Sequence, residues 1–185
     1  MYEIHIKLKD DLENADLWLE IINQWIQNNK DYLEENDFKD AAYWHNEMAN
    51  ISCLVGAIWK IGGVAISEYS VDKKGKTDLS NRADLYFSKN KVRYIIEAKY
   101  IRNQNINITS VMDMARKECN NIQENECKKM GMVFVSPNEN QSITFDDFDY
   151  DINVMFKING NKKPDYEGKV YNTVYLFGKY IALEK

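Results

Sequence analysis

"RADLYFSKNKVRYIIEAKY", residues 82–100, holds two apolar runs on either side of the short break "KNK". Both runs are rich in β-branched and aromatic residues and read as the arms of a β-hairpin, residues 83–88 and 92–100. Alternate side chains of a strand share a face. Ala83, Leu85 and Phe87 therefore face one way, and Asp84, Tyr86 and Ser88 the other. In the second arm Val92, Tyr94 and Ile96 form a core-like face, opposite Arg93, Ile95, Glu97 and Lys99. Because Ile95 and Ile96 lie on opposite faces, this arm reads as buried on both sides. Charges there are costly unless they are paired or bind something.

The flanking segments extend the pattern. "ADLWLEIINQWIQ" places Leu17, Ile21, Ile22, Trp25 and Ile26 at helical spacing, and a second helical pattern runs from about Asp40 to Lys60, ended by Gly62 and Gly63. "VAISEYSV" (64–71) reads as a strand. Residues 108–123 read as a helix with Thr109 or Ser110 at its start, and "GMVFVSP" (131–137) as a buried parallel strand. A helix between the strands at 92 and 131 suits a parallel crossover. Two further strands complete the chain. The expectation is an α/β domain over residues 1–185, with a mixed central β-sheet flanked by helices. Within it, 1–38 form an N-terminal helical extension, 40–137 the core, and 138–185 C-terminal strands.

Composition narrows the class. With 185 residues, 44% of them apolar, the chain has the size and content of one soluble domain. The longest apolar run, "ISCLVGAIW", is about half a membrane helix. The N-terminus has no basic region leading into an apolar core, so no secretory signal is expected. Three cysteines without a CxxC pair, and no histidine at ligand spacing, argue against a disulfide framework or zinc site. These features together predict a cytoplasmic protein without membrane attachment. The net charge of −5 excludes a uniformly basic nucleic-acid binder, yet it is uneven: residues 1–50 carry −8 and residues 51–133 carry +5. The hairpin lies in the positive segment, where an anionic ligand is drawn locally.

A tight hairpin brings Asp84 beside Glu97. Two neighbouring carboxylates repel, and a divalent cation relieves the repulsion. Oxygen-only donors suit Mg²⁺, or Mn²⁺ in its place, and Mg²⁺ also takes phosphate oxygens. A lysine on the same face, Lys99, can orient an attacking water or stabilise developing charge. The set is suited to metal-assisted phosphodiester hydrolysis.

Asp84, twelve intervening residues and then Glu97-Ala98-Lys99 resembles the motif of the PD-(D/E)xK nuclease superfamily, the restriction-endonuclease-like fold. That resemblance implies an αβββαβ core over about residues 40–137, roughly half the chain. Ala83 stands where the motif's proline would. The resemblance implies Asp84 and Glu97 as metal ligands and Lys99 as a catalytic lysine. It also implies a further glutamate from the preceding helix, best matched by Glu47, with Glu68 on the first strand as runner-up. The implied function is a Mg²⁺-dependent endonuclease acting on nucleic acid, with DNA the expected substrate and a homodimer suited to cutting both strands.

Other residues are secondary. Lys73, Lys74 and Lys76 in the loop before the Asp84 strand, and Arg116 and Lys117 on the following helix, are candidates for phosphate contact or for plain solvation. Arg93 is a candidate partner of Glu97. His45 points away from Glu47 on a helix and reads as structural. "FDDFDYD" (145–151) lacks the glycine and terminal glutamate of an EF-hand loop. Two alternatives accompany the nuclease: a catalytically inactive nuclease-fold subunit that binds a protein partner, and an interaction domain whose acidic N-terminal helices recruit a basic partner.

Overall fold

The computed structural model of the chain describes residues 1–75, 81–102, 107–138, 143–144, 148–159 and 170–181. It is built on a seven-stranded mixed sheet in the order β1-β6-β7-β5-β4-β3-β2. The elements run β1 (Tyr2–Leu8), α1 (Ala15–Glu35), α2 (Glu47–Lys60), β2 (Val64–Ser70), β3 (Arg82–Lys89), β4 (Val92–Ile101), α3 (Ile108–Asn120), β5 (Lys128–Val135), β6 (Ile152–Ile158) and β7 (Thr173–Tyr180). All neighbouring strands pair antiparallel except β4 and β5, which are parallel and joined through α3. The expected α/β class and parallel crossover are present, in a sheet larger than an αβββαβ core.

The hairpin closes as its sequence requires. Lys89 pairs with Val92, leaving Asn90 and Lys91 as a two-residue turn with φ of 53° and 67°. Left-handed values at both positions match the right-handed twist of the strands, and asparagine tolerates them well.

Helices α1 and α2 cover one face. Trp18, Ile21, Ile22, Trp25, Ile26 and Leu33 form a buried stripe along α1. Each isoleucine so buried contributes about 1.5–3 kcal/mol, which outweighs the weak intrinsic propensities of the helix. Leu54, Ala57 and Ile58 of α2 join them against Leu85, Phe87, Tyr94 and Ile96. Helix α3 covers the opposite face, where Met112 meets Ile101 and Val133, and Cys119 meets Ile95. Ile95 and Ile96 are both fully buried, on opposite sides of the sheet.

Several expectations are corrected. The N-terminal segment read as helical opens with β1, which pairs with β6 from Tyr2↔Ile158 to Leu8↔Ile152. Its strict alternation, apolar Tyr2, Ile4, Ile6 and Leu8 against Glu3, His5 and Lys7, was the available signal. The helical pattern from Asp40 splits into a short 3-10 turn, Ala42–Trp44, and α2, which begins where Asn46 Oδ1 accepts the Ala49 N–H at 2.9 Å. The cap of α3 is Asn107, not Thr109 or Ser110: its side chain accepts from the backbone N–H groups of both. Among the described residues no helix is long and apolar enough to cross a membrane.

Candidate active site

The ladder between β3 and β4 ends at Leu85↔Ile96. The next residue on each strand is a carboxylate, so Asp84 and Glu97 face each other where the strands part. Asp84 fills the gap itself: its Oδ2 accepts the Ala98 N–H at 2.6 Å, replacing a missing rung of the ladder. On the other side, Ser67↔Leu85 and Tyr69↔Ala83 bracket Glu68, which lies across from Asp84 with a φ of 54°. Glu68, Asp84 and Glu97 thus form one row across β2, β3 and β4.

Glu97 is buried, with only 3% of its side chain exposed, and Lys73 Nζ lies 2.7 Å from its Oε1. Burial pushes the Glu97 carboxyl above the usual range and the negative Asp84 adds to this, against the pull of Lys73. Lys99 shares the face of Glu97 and pairs with Glu118 Oε2 at 2.7 Å. Burial works against the charged form of Lys99, but Glu118, Glu47 and Asp84 outweigh it and hold its pKa above the ordinary lysine value. Glu47, in the first turn of α2, is raised to about 7, first by burial and then by the charge of Asp84. One electrostatic neighbourhood therefore joins Glu47, Asp84, Glu97 and Lys99, with Glu118 from α3 and Lys73 from the loop after β2.

Each of the three motif residues already has a partner: Asp84 has the Ala98 N–H, Glu97 has Lys73, and Lys99 has Glu118. Among the described residues, no three His, Cys, Asp or Glu side chains are grouped closely enough to hold a metal ion. The donor set is two facing carboxylates, with Glu47 coupled electrostatically but not completing a third ligand. Two hard oxygen donors fit Mg²⁺ or Mn²⁺, since Mg²⁺ keeps several waters and needs only one or two carboxylates. Clefts of about 340 and 530 Å³ lie elsewhere, one beside Tyr180 and one between α1 and α2.

The remaining candidates separate. Lys73 is engaged with Glu97 and is not a free phosphate contact. Lys74 is exposed, and Lys76 lies outside the described residues. Arg93 pairs with Glu126 across an exposed surface and does not reach Glu97. Arg116 is half-buried over Gly131 and pairs with Asp113 at 3.5 Å, while Lys117 is exposed. His45 pairs with Asp40 at 3.0 Å, away from Glu47. In "FDDFDYD", residues 145–147 lie outside the described residues, and Asp151 pairs with Lys179 at 3.6 Å. Sequence reasoning missed Glu118 and the engagement of Lys73, because both depend on how α3 and a loop lie over β4.

Comparison of the chain with protein-family models, curated proteins and solved structures returns no match.

Proposed function

We propose that this chain is a metal-dependent nuclease of the PD-(D/E)xK type, hydrolysing nucleic-acid phosphodiester bonds, with DNA the expected substrate. The observation that carries the reading is the facing of Asp84 and Glu97 at the opening of β3 and β4, with Lys99 on the same face as Glu97. The order α2-β2-β3-β4-α3-β5 supports the restriction-endonuclease-like core that the motif implies. In this reading Asp84 and Glu97 hold Mg²⁺, and Glu47 adds a carboxylate at the rim. Bound there, the ion supplies Lewis-acid stabilisation of the phosphate and acidifies a water. Lys99, held protonated by its acidic neighbours, stabilises charge developing on the phosphate oxygens. The exposed Lys74 and Lys117, with Arg116, offer contacts to the nucleic-acid backbone.

The test is Mg²⁺- or Mn²⁺-dependent cleavage of plasmid, linear and branched DNA. Asp84→Ala and Lys99→Ala should each lose about 10²-fold or more. Activity that survives both substitutions sinks the assignment.

One observation favours a second reading, a nuclease-fold subunit that binds a partner without cutting. The three motif residues are satisfied internally, as a site serving only to fix the fold would be. Calorimetry with Mn²⁺ separates the two: no binding at millimolar metal selects the subunit.

A further inference from the structure

We infer that Lys73 is the resident cation of the Glu97 carboxylate, and that a divalent ion reaches Glu97 only when Lys73 gives it up. This rests on the metal-dependent reading above. Glu97 is a buried carboxylate that needs a positive partner. The other cations of its strand face are engaged elsewhere, Lys99 with Glu118 at 2.7 Å and Arg93 with Glu126. Lys73 supplies the charge instead, with its Nζ 2.7 Å from Glu97 Oε1 and only 15% of its side chain exposed. An ammonium against a carboxylate oxygen stands in the first coordination layer that a metal would use.

The loop does not bring Lys73 there by chance. Lys73 forms a β-bridge with Ile122. The Lys74 N–H donates to Asn121 O at 2.8 Å, and the Gln123 N–H donates to Asp72 O at 2.8 Å. Val71 packs with Ile95 and Cys119 beneath them. Residues 71–74 are thus fastened to the segment that follows α3. A lysine head on a fastened backbone can leave one oxygen and remain beside the site, because its four-carbon stem reaches several positions from one anchor. Lys73 is therefore a positioning residue. It pairs with and orients the Glu97 carboxylate before metal arrives and competes with the metal afterwards.

Calorimetric titration of MnCl₂ into the full 185-residue chain tests this, using wild type, Lys73→Met, Lys73→Gln and Glu97→Gln. Lys73→Met and Lys73→Gln are expected to bind Mn²⁺ about tenfold tighter than wild type. Glu97→Gln is expected to remove the binding. Lys73→Gln keeps a hydrogen-bond donor for Oε1 without the charge, so it carries the comparison if Lys73→Met does not fold. Equal or weaker Mn²⁺ binding in Lys73→Gln, with Glu97→Gln still abolishing it, overturns the role of Lys73 and leaves the metal site standing. No Mn²⁺ binding in wild type, Lys73→Gln or Lys73→Met overturns both.

Discussion

Lys99 Nζ lies 2.7 Å from Glu118 Oε2, so the lysine at the end of the motif is tied to the helix that crosses behind it. The pair joins β4 to α3, and its acid comes from outside the motif. Glu118, with Glu47 and Asp84, keeps the half-buried Lys99 protonated against the effect of burial. In the nuclease reading this assigns Lys99 to charge stabilisation rather than proton abstraction, because a lysine held above its ordinary pKa is a poor base near neutrality.

Glu118→Gln tests that assignment. Losing the carboxylate removes the strongest interaction raising the Lys99 pKa, which must fall. If the charged lysine is the working form, the alkaline limb of the pH–rate profile moves to lower pH. If the neutral lysine were the working form, the acid limb would move to lower pH instead. Cleavage rates of wild type and Glu118→Gln across pH 5–10 distinguish the two, and an unchanged profile removes Glu118 from the site.

The hairpin and its alternation were legible because both are local. "KNK" marks the turn, and Leu85, Phe87, Tyr94 and Ile96 sort by parity onto one face with Ile95 on the other, whereas Ala83, expected beside Leu85, packs in the cluster of Ile95 and Cys119 beyond Asp84. The facing of Asp84 and Glu97 follows from that register alone. The partners of the charges were not legible. Lys73 is 24 residues from Glu97, and Glu118 is brought to Lys99 by the docking of α3, so neither spacing carries a signal in one sequence. β1 was missed although its alternation is strict, since its pairing partner lies some 150 residues away in β6.

Glu47→Gln tests the electrostatics by stability. The folded-state pKa of Glu47, about 7, lies above the ordinary carboxylate value, chiefly through burial and then through Asp84. Between about pH 4.5 and 7 the folded protein therefore holds a proton there that the unfolded chain has lost. The associated stability is complete below the unfolded pKa and declines as pH rises through about 7. Without metal, Glu47→Gln should melt higher than wild type at pH 8, and the difference should vanish near pH 5. Thermal melts in chelator at both pH values check it. A variant less stable at pH 8 would mean that the Glu47 carboxylate is paired rather than strained.

Gly131 sets how closely α3 lies on the sheet. It stands opposite Glu97 in the β4–β5 register and opposite Lys179 in the β5–β7 register. A Cβ added there would meet Arg116 Cγ at 2.6 Å and the Arg116 backbone N at 2.8 Å. The side-chain carbon can swing away, but the backbone nitrogen moves only with the helix. Gly131→Ala should therefore lift α3 and cost about 2 kcal/mol. At this chain length that lowers Tm by about 4–8 °C. The lift also carries Glu118, two residues beyond Arg116, away from Lys99. Gly131→Ala should accordingly move the pH–rate profile in the direction of Glu118→Gln. The double variant should shift it no further than Glu118→Gln alone, because both remove one ion pair. Melting curves and pH–rate profiles of the two single variants and the double variant measure this coupling. Additive shifts would place Gly131 and Glu118 on separate routes to Lys99.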